Sequence, residues 1–465
     1  MHLNKFIVFV LIFGLALKVQ SQNLGLSSYS RIGIGDLAET GSSRNNGMGG
    51  AGVASYNQFQ VNALNPAALA VLKYTNFEFD LVGKRTRYLT SKDIAQTGLT
   101  GNIQYISLAF PLHKRVNIQI GAKPFSSIAY KDADQQAARD NNNNPINTKF
   151  YNNTSTGSGG LSDFFLGGAY NYKDWLLLGV NAGIVMGQSV YENRLEDVRK
   201  SIFVYTTERF EQHLRISPGI LITREIKNNK ADLLLTDTLV GFKDSLGFQK
   251  KAEVIPTTTN WFYGFGLTGS IFKTLQASEF QKFDQAAYST VRGSNGYYYS
   301  DYVYYKRDTI RDGKLGNYSL PASLRVGLSL YQPNKLSFAL DYNFANWSKF
   351  TYNQYHSKPV NQHGLALGTE FIPDFNSTKY YKRVAYRGGI KAEMLPYEIA
   401  GQKISQIQAT LGAGLVFAKT GVTLNVAIAY GERGTVASNL VKENYWLATV
   451  GIISNSKWFV RRRHD

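Results

Sequence analysis

The sequence contains no cysteine. That removes a disulfide framework, and it removes lipid attachment through a cysteine after an export signal. Proline is scarce, at 11 of 465 residues. Beyond residue 21 there is no apolar run of about 18 residues, which excludes helical membrane spans. A β-barrel passes that test, because its strands alternate lipid-facing and lumen-facing residues. Acidic side chains are outnumbered: 33 Asp and Glu stand against 51 Lys and Arg, for a net charge of +18. The densest basic cluster, Arg461-Arg462-Arg463, lies at the end of the chain, and no compact basic stripe accompanies it. Nucleic acid is therefore not expected as a partner, and a basic surface facing anionic lipid phosphates accounts for the charge.

What the chain has in excess is 30 tyrosines, 27 phenylalanines and 43 glycines. That composition suits a β-rich chain better than the two or three soluble domains its length would suggest. Residues 1–21 read as a secretory signal peptide. Lys5 supplies the charged region, Phe6 to Leu17 the apolar region, and Val19 and Ser21 the small residues of a cleavage site. Removing them takes away Lys5 and Lys18 and no acid, leaving +16.

From Tyr74 onward the dominant period is two. Val422, Leu424, Val426, Ile428 and Tyr430 alternate with Thr423, Asn425, Ala427, Ala429 and Gly431. Leu336, Phe338, Leu340, Tyr342 and Phe344 alternate with Ser337, Ala339, Asp341, Asn343 and Ala345. One face is large and apolar; the other is small, polar or charged. About 14 such strands are expected, near 74–89, 100–111, 116–130, 161–172, 175–189, 203–224, 261–275, 319–331, 335–349, 362–372, 383–394, 407–418, 421–432 and 445–454. The sixth is long enough to be two. Tight connections fall at Leu112 to Arg115, Lys173-Asp174, Gln332 to Asn334 and Lys419-Thr420, all even-numbered gaps. The odd gaps are mostly longer. Short turns at one end and long loops at the other is the outer-membrane pattern, with both termini on the short-turn, periplasmic side. Two even gaps, Glu225 to Asn260 and Pro373 to Lys382, break the rule. Lys131 to Gly160, with Asn141 to Asn144 inside it, predicts a mobile surface loop.

Ahead of the strands lies RNNGMGGAGVASYNQFQVNALNPAALA, Arg44 to Ala70. Gly47, Gly49 and Gly52 match G-x-G-x-x-G, but a dinucleotide site needs a buried strand before that motif and a helix after it. Here Thr40 to Asn46 are polar and turn-forming. The glycines are expected instead to let backbone pack closely inside a barrel. The six histidines include no H-E-x-x-H and no pair four residues apart, so neither a metal nor a cofactor is expected. Asp132 and Asp134 in the predicted loop suit either a cation or ordinary solvation. No motif points to a nucleophile with a base, and an enzyme is not expected. Pro124 is the other oddity. It sits inside the third strand, three residues after Gly121, and proline cannot donate to a ladder. It implies either a local bulge or a gap in the wall through which an apolar molecule leaves sideways.

Asn65-Pro66-Ala67 preceded by GMGGAGVA resembles the N-terminal hatch of the FadL-like outer-membrane transporters of hydrophobic compounds (FadL/TodX type). Tyr29-Ser30-Arg31 with Gly33, Gly35 and Asp36, and Trp458-Phe459-Val460-Arg461, resemble the branch of that family found in Bacteroidetes. The resemblance implies a 14-stranded all-β barrel in the outer membrane of a Gram-negative bacterium. It implies a hatch over residues 22–73, a barrel over 74–465, and a kinked third strand at Gly121 and Pro124. It implies passive transport of a hydrophobic small molecule, a long-chain fatty acid or an aromatic hydrocarbon, in contact with outer-membrane lipid and lipopolysaccharide. It fixes no ligand-contacting residue. Similar barrels of the PorV type serve protein secretion, which gives an alternative: a scaffold taking a protein partner through the Lys131–Gly160 loop and the Tyr-rich 297–305 arm.

Overall fold

The computed structural model describes residues 27–38, 41–91, 95–139, 145–197, 201–226, 242–243, 249–250, 260–292, 298–315, 319–350, 357–417 and 421–456. Fourteen antiparallel strand positions close into a barrel. They are β1 (Thr75–Leu89), β2 (Ala95–His113), β3 (Val116–Arg139), β4 (Pro145–Lys173), β5 (Leu176–Asp197), β6 (Ser201–Glu225) and β7 (Phe262–Arg292). Then come β8, in two pieces (Tyr298–Lys314 and Ser323–Gln332), β9 (Leu336–Ala345), β10 (Gln362–Phe371), β11 (Ala385–Ile399), β12 (Gln402–Phe417), β13 (Val422–Arg433) and β14 (Lys442–Ser456). The two pieces of β8 share one place in the wall. The lower pairs with Phe262–Ser270 of β7, and the upper with Ser278–Arg292. Closure is made by β14 on β1, from Lys442 opposite Leu89 to Ser456 opposite Thr75.

The alternation resolves as a barrel with its apolar face outward. Leu340 is 45% exposed and Asp341 beside it 5%. Leu328, Leu330, Leu365, Leu367, Ile390, Leu411 and Ile428 are exposed in the same way, while Asn425, Ala427 and Ala429 face in and are buried. A water-soluble sheet would hide these leucines. A lipid-facing band with a polar interior is what an outer-membrane barrel requires, and the protein is placed in the outer membrane accordingly.

Several strands are taller than their sequence suggests. A strand crosses the membrane in about 9–11 residues. Strands β3 to β7 have 24, 29, 22, 25 and 31. The stretch Lys131 to Gly160 is mostly strand, not a loop, because β3 continues to Arg139 and β4 starts at Pro145. The long sixth strand is one strand, paired with β5 and β7 along its length. Polar runs such as Asn152 to Ser158 hold a strand here because both neighbours pair with them. Above the membrane band no lipid-facing side chain is needed, so the alternation fades and the sequence resembles a loop. The connection after β6 contains a short ladder, Phe242–Lys243 with Gln249–Lys250. Residues 1–26, Asn141 to Asn144 and the terminal Trp458-Phe459-Val460-Arg461 lie outside the described residues.

Candidate functional site

The lumen is filled by the segment from Gly41 to Leu72. It carries one short helix, α1 (Ser43–Gly47), and a 3-10 turn, Pro66–Val71. Asn45 Oδ1 accepts from the Ser42 N–H at 3.2 Å and sets the start of α1. Asn65 caps the 3-10 turn: its Oδ1 accepts from the Ala67 N–H at 3.0 Å, and Pro66 takes the first position, where no N–H is needed. The Asn65 amide also donates to the carbonyls of Val53 and, on β6, Ile220, both at 3.0 Å. One side chain thus fixes the turn and pins it to the wall. Ala67 is fully buried.

The segment is held by strands all around the barrel. Asp80 of β1 accepts from the Ser43 N–H at 2.7 Å and its hydroxyl at 3.0 Å. Arg44 makes a two-pronged ion pair with Glu370 of β10, at 3.0 and 2.8 Å, and Arg387 of β11 donates to the same carboxylate at 2.6 Å. Asp341 of β9 accepts from the Gly52 and Val53 N–H groups at 2.7 and 2.9 Å. The Gly49 N–H donates to Thr410 of β12 at 2.9 Å. Asn117 of β3 donates to the carbonyls of Leu69 and Leu72. The glycines serve close approach. Gly49, at φ +68°, lies so near β11 that a Cβ would meet the Ile390 backbone nitrogen at 2.7 Å, and Gly47 faces the Cα of Gly412 at 3.3 Å from its own ideal Cβ. Gly52 has φ +134°, which other residues rarely adopt.

The wall has a break beside Pro124. Pairing of β2 with β3 runs from His113 opposite Val116 up to Ile106 opposite Ala122 and stops. Above it β2 pairs with β1 alone, while β3 pairs with β4, with a register shift between Pro124 and Ser126. Gly121 is the last but one paired residue; a Cβ there would stand 2.6 Å from the Phe165 ring. The exposed flank of β3 is taken by the chain's own Ser27–Ala38. Asp36 and Leu37 pair with Ser127 and Ser126, and the Ser27 and Ala38 N–H groups donate to the carbonyls of Ala129 and Phe125. Across the lumen, Arg433 of β13 grips the Asp36 carboxylate and the Tyr29 hydroxyl donates to the Val441 carbonyl. On the rim, Asp132 sits with Arg31 at 3.3 Å and accepts from Ser28, a pairing within the chain.

Behind the break lies a cavity of about 190 Å³. Asp36, Pro124, Phe125 and Phe272 line it together with charged groups. Arg215 pairs with Asp163 at 2.8 Å and Lys391 with Glu393 at 2.8 Å. Lys123 and Arg215 both stand 5.9 Å from the centre of the Phe165 ring. A larger vestibule of about 1270 Å³ opens at the short-turn end, bordered by Tyr56, Phe59, Tyr74, Trp175 and Tyr331. Among the described residues no group of three or more His, Asp or Glu is arranged to hold a metal ion.

The structure gathers Gly47, Gly49, Gly52, Asn65, Pro66 and Ala67 in the lumen and puts Gly121 and Pro124 at the top of the β2–β3 pairing. The wall groups Asp80, Asp341, Glu370 and Arg387 around the segment, and Arg433, which holds Asp36, were not picked out as site residues from sequence. Their signal was present: each is a charge at an inward position of an alternating strand.

A closed 14-stranded barrel with an apolar outer band and an internal N-terminal segment defines a FadL-like outer-membrane barrel. The chain belongs to the BamG family, whose model matches residues 3–465. It is similar in fold to the toluene transporter TbuX of Ralstonia pickettii: 14% identity over 90% of this chain and 98% of that one, TM-score 0.53. The toluene transporter TodX of Pseudomonas putida is 15% identical over 90% of this chain and 98% of its own, with a TM-score of 0.52. A FadL homologue from Pseudomonas aeruginosa is 10% identical over 90% and 99%, with a TM-score of 0.51. No curated protein sequence matches the chain.

Proposed function

We propose that this barrel passes small hydrophobic molecules across the outer membrane without catalysis, and that they move through the opening between β2 and β3 while the lumenal segment, acting as a hatch, stays in place. The observation that carries this is the end of β2–β3 pairing at Ala122 with a cavity directly behind it. Ile106 is about seven residues above the short turn. At roughly 3.4 Å per residue and a tilt near 40°, the opening starts about 18 Å up, in the outer half of a band about 25 Å tall. Polar anchors on β1, β3, β6, β9, β10 and β12 argue against release of the hatch. The cavity's size suits a compact solute, since roughly 150 Å³ accommodates benzene. Its Lys123 and Arg215 offer cations to an aromatic face. The solved toluene transporters of the same fold are consistent with such a cargo.

The test is uptake of toluene and of a long-chain fatty acid by cells carrying the wild type, Pro124→Val, or no barrel. Wild-type cells should take up at least one solute faster than cells without the barrel, and Pro124→Val should slow it. Equal rates for wild type and Pro124→Val would sink the side opening. Equal rates with and without the barrel would sink transport. A second reading, a scaffold for a protein partner, is supported by the tall strands β3 to β8, which carry far more extracellular sheet than a channel needs.

A further inference from the structure

We propose that the outer edge of the upper piece of β8, Tyr298–Lys314, is a docking edge for an extended strand of a partner protein, with Tyr305 and Ile310 as anchoring side chains. This rests on the scaffold reading above and is independent of transport.

The upper parts of β3 to β8 form one sheet standing above the membrane band. Such a sheet has two edges, and the two are treated differently. On β3 the edge is covered by the chain's own Ser27–Ala38, which makes a 3-10 turn at Ser28–Arg31 and then runs along β3 at Asp36 and Leu37 as a two-residue strand. On β8, among the described residues, Tyr298–Lys314 pairs with β7 alone. It is 17 residues long, with no proline and a single glycine, Gly313. A bare edge offers a row of unsatisfied N–H and C=O groups, and strand addition is the way such a row is completed.

The edge also has anchors. Opposite β7, Lys306 faces Gln285 and Tyr304 faces Ala286, so Tyr305 is an extra residue; Arg311 faces Gln281 and Thr309 faces Lys282, so Ile310 is another. Bulges of this kind re-aim a side chain. Tyr305 and Ile310 are the most exposed large apolar side chains described on the arm, at 60% and 56%. The first bulge leaves Tyr298–Tyr304 as an unbroken seven-residue ladder, enough for an ordinary strand. Four of the arm's charges have partners within the chain: Lys306 with Asp308, Arg307 with Asp284, Arg311 with Glu279. Mixed, paired charges do not suit lipid. They leave backbone and two apolar anchors to do the recognising, which fits an extended polypeptide.

The experiment places the photoreactive p-benzoylphenylalanine at position 305 of the full chain in intact cells and maps the adducts by mass spectrometry. In parallel, amide exchange of residues 298–304 is compared between native outer-membrane vesicles and the purified barrel in detergent. The expected result is adducts within one segment of one partner, with at least tenfold slower exchange in vesicles. Both should be lost in Ile310→Lys, whose exposed position leaves the barrel intact by heat-modifiability. Adducts without exchange protection would overturn edge docking and leave the scaffold reading standing. Adducts joining two copies of this chain would overturn a separate partner. Neither adducts nor protection would overturn both.

Discussion

The two sides of this barrel differ in height and in what their inward side chains hold. On the low side, β9 to β14 have 10 to 16 residues, little more than the membrane requires. Their inward groups, Asp341, Glu370, Arg387 and Thr410, bind the hatch or one another around it. On the tall side, the upper parts of β3 to β8 stand clear of the hatch core. There buried polar groups satisfy one another across the sheet, as Arg209 does with Glu279. The plug is fixed by the lower wall, to which the tall strands also contribute through Asn117 of β3 and Ile220 of β6, and only the upper parts of β3 to β8 present a surface. One barrel carries both because closure demands equal pairing only inside the membrane.

The sharpest way to break that contrast is to remove one acid from each side. Glu370→Ala would leave Arg44 and Arg387 facing each other, buried and uncompensated, on the low side. Losing one partner of a buried pair costs about 3–5 kcal/mol. Asp284→Ala on the tall side removes a partner of Arg307, whose side chain is 70% exposed, and should cost at most about 1 kcal/mol. Urea unfolding from lipid vesicles measures both. Equal costs would show that ion pairs brace the tall wall as firmly as the low one.

The second contrast uses glycine. A Cβ at Gly389 would lie 2.3 Å from the Met48 carbonyl carbon, while one at Gly313 meets nothing within 4 Å. Gly389→Ala should therefore push the hatch from β11 and destabilise by about 1–3 kcal/mol. Gly313→Ala should be silent in the same assay. A silent Gly389→Ala would mean the hatch yields easily, and would reopen a route past it.

How much of this was legible follows from where lipid touches the chain. Strands β9, β10 and β13 could be read because Leu340, Leu367 and Ile428 must face lipid and Asp341, Ala366 and Ala427 must not. The upper parts of β3, β4 and β8 could not, because water surrounds them and Asn152 or Lys306 serves there as well as leucine. Asn65-Pro66-Ala67 was legible through its resemblance to a hatch, and the structure supplies the capping chemistry behind it. The ion pair of Arg44 with Glu370 spans 326 residues, and no local pattern couples positions so far apart. Pro124 marked the place where pairing fails. Tyr29-Ser30-Arg31, Gly33, Gly35 and Asp36 carried a family resemblance but no signal that Ser27–Ala38 lines the break, since pairing two residues to an edge needs only a short extended stretch.

The smallest effect expected separates the two sides by salt. Lys306 and Asp308 are 2.9 Å apart with side chains about half exposed, at 53% and 50%. Such a pair is worth at most about 1 kcal/mol. At about 1 M salt the Debye length falls to about 3 Å and the attraction is screened. Asp308→Asn should therefore lower stability slightly at low salt and not at all at high salt. Arg44 and Glu370, whose side chains are 7% and 12% exposed, sit where salt does not penetrate. The cost of Glu370→Ala should be the same at both salt concentrations, because it comes mainly from the desolvated guanidinium left behind and not from a screened surface attraction. Unfolding midpoints of both variants, measured at low and high salt against the wild type under matched conditions, give the answer. A Glu370→Ala effect that fades with salt would place water in the hatch interface and weaken the case for a fixed plug.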